Sequence, residues 1–322
     1  MEVSLVLSFA PYYNSYVMVC ITQQQAGGRE MKKDYVIMSD NMGDLPQSYY
    51  EEHQIPIMYL SYTMEGETFD ETHRQSNEAF YRCMREGALP TTSQITPNEA
   101  REHFLKQLRS GKDVLCLSFS SGLSGTYNSC ALAAQQLREE GYHIEVIDTL
   151  CASLGQGLLL YKAVELKEKG ADFDEVRDWV LQNRLNICHV VVADDLYHLM
   201  RGGRISRSTA VVGSMLSIKP LIQMNDEGKL IPTGKSHGRK KGLRALVNMM
   251  GEQMGSRREE NDIFMICHAD CEADAKQLAQ MVQEAYGIEN YLINYIGPVI
   301  GSHTGPDTLA LFYLGDQRMS SR

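Results

Sequence analysis

The sequence predicts an α/β fold of two domains, the first built on a mostly parallel sheet and the second on a mixed one. Three observations predict it. Apolar β-type runs alternate with helix patterns of ten or more residues in the first half, which is the mark of βαβ units. After Asp148 that alternation gives way to two helices in succession and then a hairpin signal. Finally, 322 residues with 43% hydrophobic content are enough for about two cores.

In the first half, strands are expected at Asp34–Met38, Ile55–Tyr62, Asp113–Ser120 and His143–Asp148, with helices at about 45–53, 72–87, 97–110 and 126–140. The sharpest start signal is Thr96-Pro97-Asn98-Glu99: an N-cap Thr, Pro at the first helical position and Glu at the third. The second half opens with helices near 153–169 and 173–185 and a strand at Ile187–Ala193. A short helix, the turn RGGRIS and a helical stretch near 208–216 follow. KPLIQM and KLIPTG flank Asn225, Asp226 and Gly228, which reads as a β-hairpin. A helix at about 239–254, strand Ile263–His268, a helix at 272–286 and strands Tyr291–Ile296 and Leu309–Leu314 complete the pattern. The boundary falls near 150–156, giving domains over 34–153 and 154–316.

Composition excludes several functions. A formal net charge of -10 argues against broad binding to nucleic acid. No run of 18 apolar residues exists, so no transmembrane helix is expected. The eight cysteines are scattered through apolar patterns, as buried free thiols of a cytoplasmic protein would be. CHADC (267–271) lacks a second ligand pair with zinc spacing, so no metal is expected. Residues 1–30 begin with an acidic residue and are interrupted by Pro11 and Asn14, a poor signal peptide. They are expected to be a disordered tail or a start-site artefact, because Met31-Lys32-Lys33 before DYVIMSD reads as a protein start.

The stretch VLCLSFSSGLSGT (114–126) carries the most chemistry. A strand feeding a small-residue loop at a helix start aims free N–H groups and the positive end of the helix dipole at one point. Ser120, Ser121 and Ser124 add hydroxyls, and the loop holds no Lys or Arg, which suits one carboxylate better than a polyphosphate. The same residues would also serve as a cap and a tight turn. Three other segments stand out. Thr91-Thr92-Ser93-Gln94 lies between two helices and reads as turn and cap residues. Gly202-Gly203-Arg204-Ile205-Ser206 projects an arginine from a rigid turn, either into solvent or at a cleft mouth. Gly301-Ser302-His303-Thr304-Gly305-Pro306 places a histidine in a loop between two strands. Lys235–Lys241, KSHGRKK, opens a helix as a solvated basic face.

Three separated motifs together resemble the DegV family of fatty-acid-binding proteins: TTSQ at 91–94, SSGLSGTYNS at 120–129, and GGRIS at 202–206 with SHTGP at 302–306. The resemblance covers about Asp34 to Gly315. It implies two α/β domains with one long-chain fatty acid between them, the tail in an apolar tunnel. The carboxylate would be held by Thr92 and Ser124, with Ser93 and backbone N–H groups such as that of Gly125 close by. Arg204, His303 and Ser121 would lie near the head group or face a partner. Several members act as the acyl-binding subunit of a two-component fatty acid kinase. The resemblance thus implies an ATP-dependent kinase as partner, an acyl phosphate carried afterwards, no catalysis by this chain alone and no cofactor beyond the bound acid. Monomer is the default state, and transient membrane contact is compatible with the reading.

The sequence departs from the family pattern at three places. Asp40-Asn41-Met42 stands for Asp-Ser-Thr, which alters hydrogen bonding near the first strand. Ile95 replaces a Pro after TSQ, and Asp307 replaces a Gly after GP, placing a charge near the expected head group. The alternative activity is a serine acyl hydrolase using Ser124 and His303, since Gly-Leu-Ser-Gly-Thr approximates GxSxG. Thr126 stands where the last Gly belongs, and no acid is marked out by a motif.

Overall fold

A computed structural model describes residues 34–206 and 218–319. The expected tail at 1–30 and the expected helix at 208–216 lie outside the described residues. The N-terminal half runs β1 (Tyr35–Asp40), α1 (Gln47–Glu52), β2 (Ile57–Met58), β3 (Ser61–Met64), β4 (Glu67–Phe69), α2 (Asn77–Arg85), β5 (Thr91–Ser93), α3 (Pro97–Leu108), β6 (Asp113–Ser118), α4 (Thr126–Glu139) and β7 (Ile144–Asp148). Then follow α5 (Leu154–Glu168), α6 (Phe173–Asn183), β8 (Ile187–Val192), α7 (Tyr197–Arg201), β9 (Ile218–Met224), β10 (Leu230–His237), α8 (Arg239–Met254), β11 (Ile263–His268), α9 (Glu272–Tyr286), β12 (Asn290–Tyr295), α10 (Pro298–Thr304) and β13 (Leu309–Leu314).

The first sheet has the order β2-β1-β6-β7 and is parallel throughout. Its central strands β1 and β6 are buried along their whole length, as continuous apolar runs flanked by helices must be. The second sheet has six strands in the order β10-β9-β8-β13-β11-β12, with only β11 and β12 parallel. The expected α/β class, one parallel and one mixed sheet, is therefore found. A small antiparallel sheet, β4-β3-β5, was not expected.

α5 sits at the centre. Leu154, Leu158, Leu159, Leu160, Ala163 and Val164 are all buried, in one core with β1, β6 and part of β11 and β13. Its first two turns, Leu154–Leu160, carry no charge and are covered on all sides, and its charged residues fall in the second half. Gln156, also buried, donates from Nε2 to Ser39 Oγ (3.0 Å) and Asp40 Oδ1 (2.9 Å), fastening α5 to β1.

Five local expectations need correction. Ile55–Tyr62 is two short strands in different sheets. Asn41 takes both backbone groups of Leu60 (2.8 and 3.2 Å), so the chain leaves one ladder there and joins another at Ser61. The helix expected at 72–87 starts only at Asn77, because Ser76 caps it by accepting from the Ala79 N–H, while Asp70 holds Thr72 and His73 in a turn. Thr91–Ser93 is strand β5, not a turn. Gly301–Thr304 is the end of helix α10, which starts with Pro298 in the first position. The basic run is likewise divided: Lys235, Ser236 and His237 end β10, and α8 begins at Arg239. By contrast the Thr96/Glu99 capping box forms as read, with both reciprocal bonds present.

Candidate functional site

Residues from both halves line a cavity of about 380 Å³. β5 contributes Thr92 and Ser93, and Gln94 follows them. Thr92 pairs in register with Tyr62 of β3, so the hydroxyl's place is set by a ladder rather than by a loose turn. The loop between β6 and α4 contributes Phe119, Leu123 and Ser124. Arg204 enters from the turn after α7, and Val299, Ile300, His303 and Thr304 from α10. The loop lies beyond the carboxyl end of a parallel strand, where such sheets bind ligands.

Thr92 Oγ1 and His303 Nε2 lie 2.8 Å apart. His303 Nδ1 is buried without a partner among the described residues and faces Gly202 so closely that a Cβ there would sit 2.1 Å from it. Burial, aided by the positive charges of Arg204 and Arg201, lowers the His303 pKa to about 4, so the ring is neutral at physiological pH. Arg204 donates from Nε to Leu123 O (3.0 Å) and from Nη1 to Gly202 O (2.5 Å). Among the described residues no carboxylate pairs with it, and burial lowers its pKa. An uncompensated guanidinium in a cavity wall attracts an anion. The loop itself carries no cation; the one in the cavity wall comes from Arg204, 80 positions downstream of Ser124 (204 − 124), a residue the sequence already offered near the head group.

Ser124 Oγ lies 3.0 Å from Thr126 Oγ1 and accepts from the Thr126 N–H at the start of α4. Gly125 does not itself line the cavity; a Cβ on it would sit 2.1 Å from Gln94 Oε1, so the glycine lets that amide reach the wall. Gln94 was not singled out from sequence, although it belongs to the TTSQ motif. Ser121 is exposed and outside the cavity, its N–H donating to Asp148 Oδ1 (3.1 Å); of its two expected places, beside the head group or facing a partner, only the second is compatible with this position. Asp307 is also away from the cavity: its carboxylate forms a bidentate pair with Arg85 of α2 (2.7 and 2.9 Å).

The hydrolase alternative fails on geometry. His303 contacts Thr92 rather than Ser124, and among the described residues its second nitrogen has no carboxylate to orient it. A serine nucleophile needs both arrangements.

A second chamber of about 50 Å³ adjoins the cavity through Ala152, Leu199, Leu230, Ile300 and Thr304. It ends against Met224, Ala310 and Phe312 beneath the mixed sheet. His189 stands in its wall, yet burial pushes its pKa down to about 3, so it adds no charge.

A family model described as "Uncharacterised protein, DegV family" matches residues 34–316. The chain is 42% identical over 290 residues to a DegV domain-containing protein of Clostridium perfringens, covering 89% of this chain and 99% of that one. Among solved structures, a DegV lipid-binding protein of Thermotoga maritima superposes with a TM-score of 0.75 at 30% identity, covering 89% of this chain and 100% of the other. A fatty-acid-binding DegV family protein of Thermus thermophilus gives 0.77 at 28% identity, with 88% and 99% covered.

Proposed function

The chain belongs to the DegV family, and from that premise we propose that it binds a long-chain fatty acid, carboxylate toward Thr92 and Ser124, and presents it to a separate ATP-dependent kinase. It then carries the acyl phosphate. The observation that supports this most is the wall the two hydroxyls share: both line one cavity, and an apolar chamber adjoins it.

For Thr92 to donate into the cavity, His303 must donate from Nε2 to Thr92 Oγ1. Nδ1 then bears only a lone pair, and Nδ1 is the atom left without a partner. Ser124 has an equivalent role on the other loop, beside the α4 N-terminus. Arg204 supplies the positive charge, and that charge suits the phosphorylated head group as well as the free carboxylate. Hydroxyl donors serve either species, so the product stays bound in the same cradle.

Affinity resides chiefly in the tail. Burying roughly 14 methylenes at ~0.8 kcal/mol each gives ~11 kcal/mol gross, before the cost of ordering the chain and the protein. The head group then sets orientation. Native mass spectrometry of protein purified from its own host tests the reading: a bound C16–C18 acid is expected, and a neutral lipid in its place would overturn it.

A further inference from the structure

We propose that Arg318 is a positioning residue for the head-group loop, acting through the turn of the β9–β10 hairpin. This rests on the fatty-acid reading above. Arg318 is 2% exposed, and among the described residues no carboxylate pairs with it. Burying a guanidinium without a counter-ion is costly unless its donors are all used in good geometry. The donors of its two terminal nitrogens go to backbone carbonyls and one thiol, while Nε is buried without a partner among the described residues. Nη1 donates to Leu150 O (2.6 Å) and Asn225 O (3.0 Å), and Nη2 to Arg184 O (2.5 Å) and Cys151 Sγ (3.1 Å).

Three of these acceptors belong to two segments that hold the loop at 120–124. Asn225 opens the hairpin turn, and its carbonyl also accepts from the Gly228 N–H (3.0 Å). Gly228 O in turn accepts from Ser120 Oγ (2.8 Å), and Ser120 O accepts from the N–H groups of Leu123 and Ser124 (both 3.1 Å). On the other side, Cys151 O accepts from the Ser120 N–H (3.1 Å), and Leu150 beside it has a left-handed φ of 51°. Arg318 therefore fixes the hairpin turn and the 150–151 strand exit together, and Ser120 bonds to both. Arg204 pins the same loop at Leu123 O from the cavity side. Arg318 lines neither the cavity nor the tail chamber, so its removal acts first on the loop that carries Ser124.

The test measures binding of palmitic acid and of hexadecanol, which share a tail and differ in head group. The wild type is expected to prefer the acid by at least tenfold; no preference would sink the fatty-acid reading itself. Arg318→Ala is expected to lose most of that preference, about tenfold in acid affinity, with hexadecanol affinity within twofold of wild type. Arg318→Lys should recover part of it. Equal loss for both ligands means a general packing role, and an unchanged preference means no role; either overturns the proposal. If Arg318→Ala does not fold, Ser120→Ala decides, because it cuts the turn from the loop and leaves Arg318 in place. The same head-group-selective loss is expected there, and its absence overturns the proposal.

Discussion

Thr92 and His303 are 211 positions apart in the chain and 2.8 Å apart in space. One rides on a three-residue strand of the small sheet, the other on the last turn of α10. Their contact joins the two halves at the cavity and gives the Thr92 hydroxyl a fixed partner on one side.

Thr92→Ala combined with Ser124→Ala is expected to weaken palmitate or stearate binding by roughly tenfold or more, two neutral donors being worth about 1 kcal/mol each. The thermal midpoint should move little, since neither hydroxyl holds the core. Calorimetry with a C16–C18 acid reads the effect; unchanged affinity removes the head-group site.

Ala310→Leu fills the inner chamber from β13. The expected outcome is selective. A C18 acid loses affinity by about 1–2 kcal/mol, the worth of one or two methylenes no longer buried, while a C12 acid is unaffected. A competition series over chain length would show it, and equal losses at every length would mean that the tail does not reach this chamber.

Arg204→Ala is expected to slow phosphorylation by the kinase more than it weakens lipid binding, because charge on the head group grows during transfer. Single-turnover rates set beside binding constants separate the two. Parallel losses would place Arg204 in binding alone.

Asp44 supplies a pH dependence with a defined sign. Burial raises its pKa from 3.8 to about 7, against hydrogen bonds from Ser153 Oγ and the Gly297 N–H that favour the charged form. A carboxyl whose folded pKa is raised stabilises the fold fully below pH ~4 and loses that contribution as pH rises through 7. Asp44→Asn keeps an acceptor for Gly297 and cannot ionise. Urea unfolding at pH 5 and pH 8 should show the wild type losing at least ~2 kcal/mol more than the variant over that interval. Identical losses would mean that Asp44 titrates normally.

Asp307 occupies a left-handed backbone position (φ 62°) and is paired with Arg85. Asp307→Gly removes the ion pair and the strain together, whereas Asp307→Ala removes only the pair. The glycine variant should be the more stable of the two by about 1 kcal/mol, read from thermal unfolding. The reverse order would show that the strain is not stored there.

Much of this arrangement was legible in the sequence because it is local. The capping box at Thr96, the buried run of β1 and the GLSG loop each announce themselves within a dozen residues. Two α/β sheets, one parallel, follow from the order of such units. What escaped is non-local. Thr91–Ser93 has no strand pattern of its own and becomes a strand only because β3 supplies partners. Ser121 and Ser124 look equivalent in the sequence, yet the Asp148 carboxylate draws the first outward. Arg204 meets Leu123 through a tertiary contact that no spacing encodes. Asp307 reads as a charge beside the ligand until Arg85, on another helix, is seen to neutralise it.

The position of α5 limits how this protein could be taken apart. A cut between Asp148 and Leu154 looks like a natural seam, but it would strip the parallel sheet of the helix whose Gln156 reaches Asp40. The other fragment would keep that helix with an oily side bare to water. Each piece would be prone to aggregate, and solubility would return only when the two were made together and found one another.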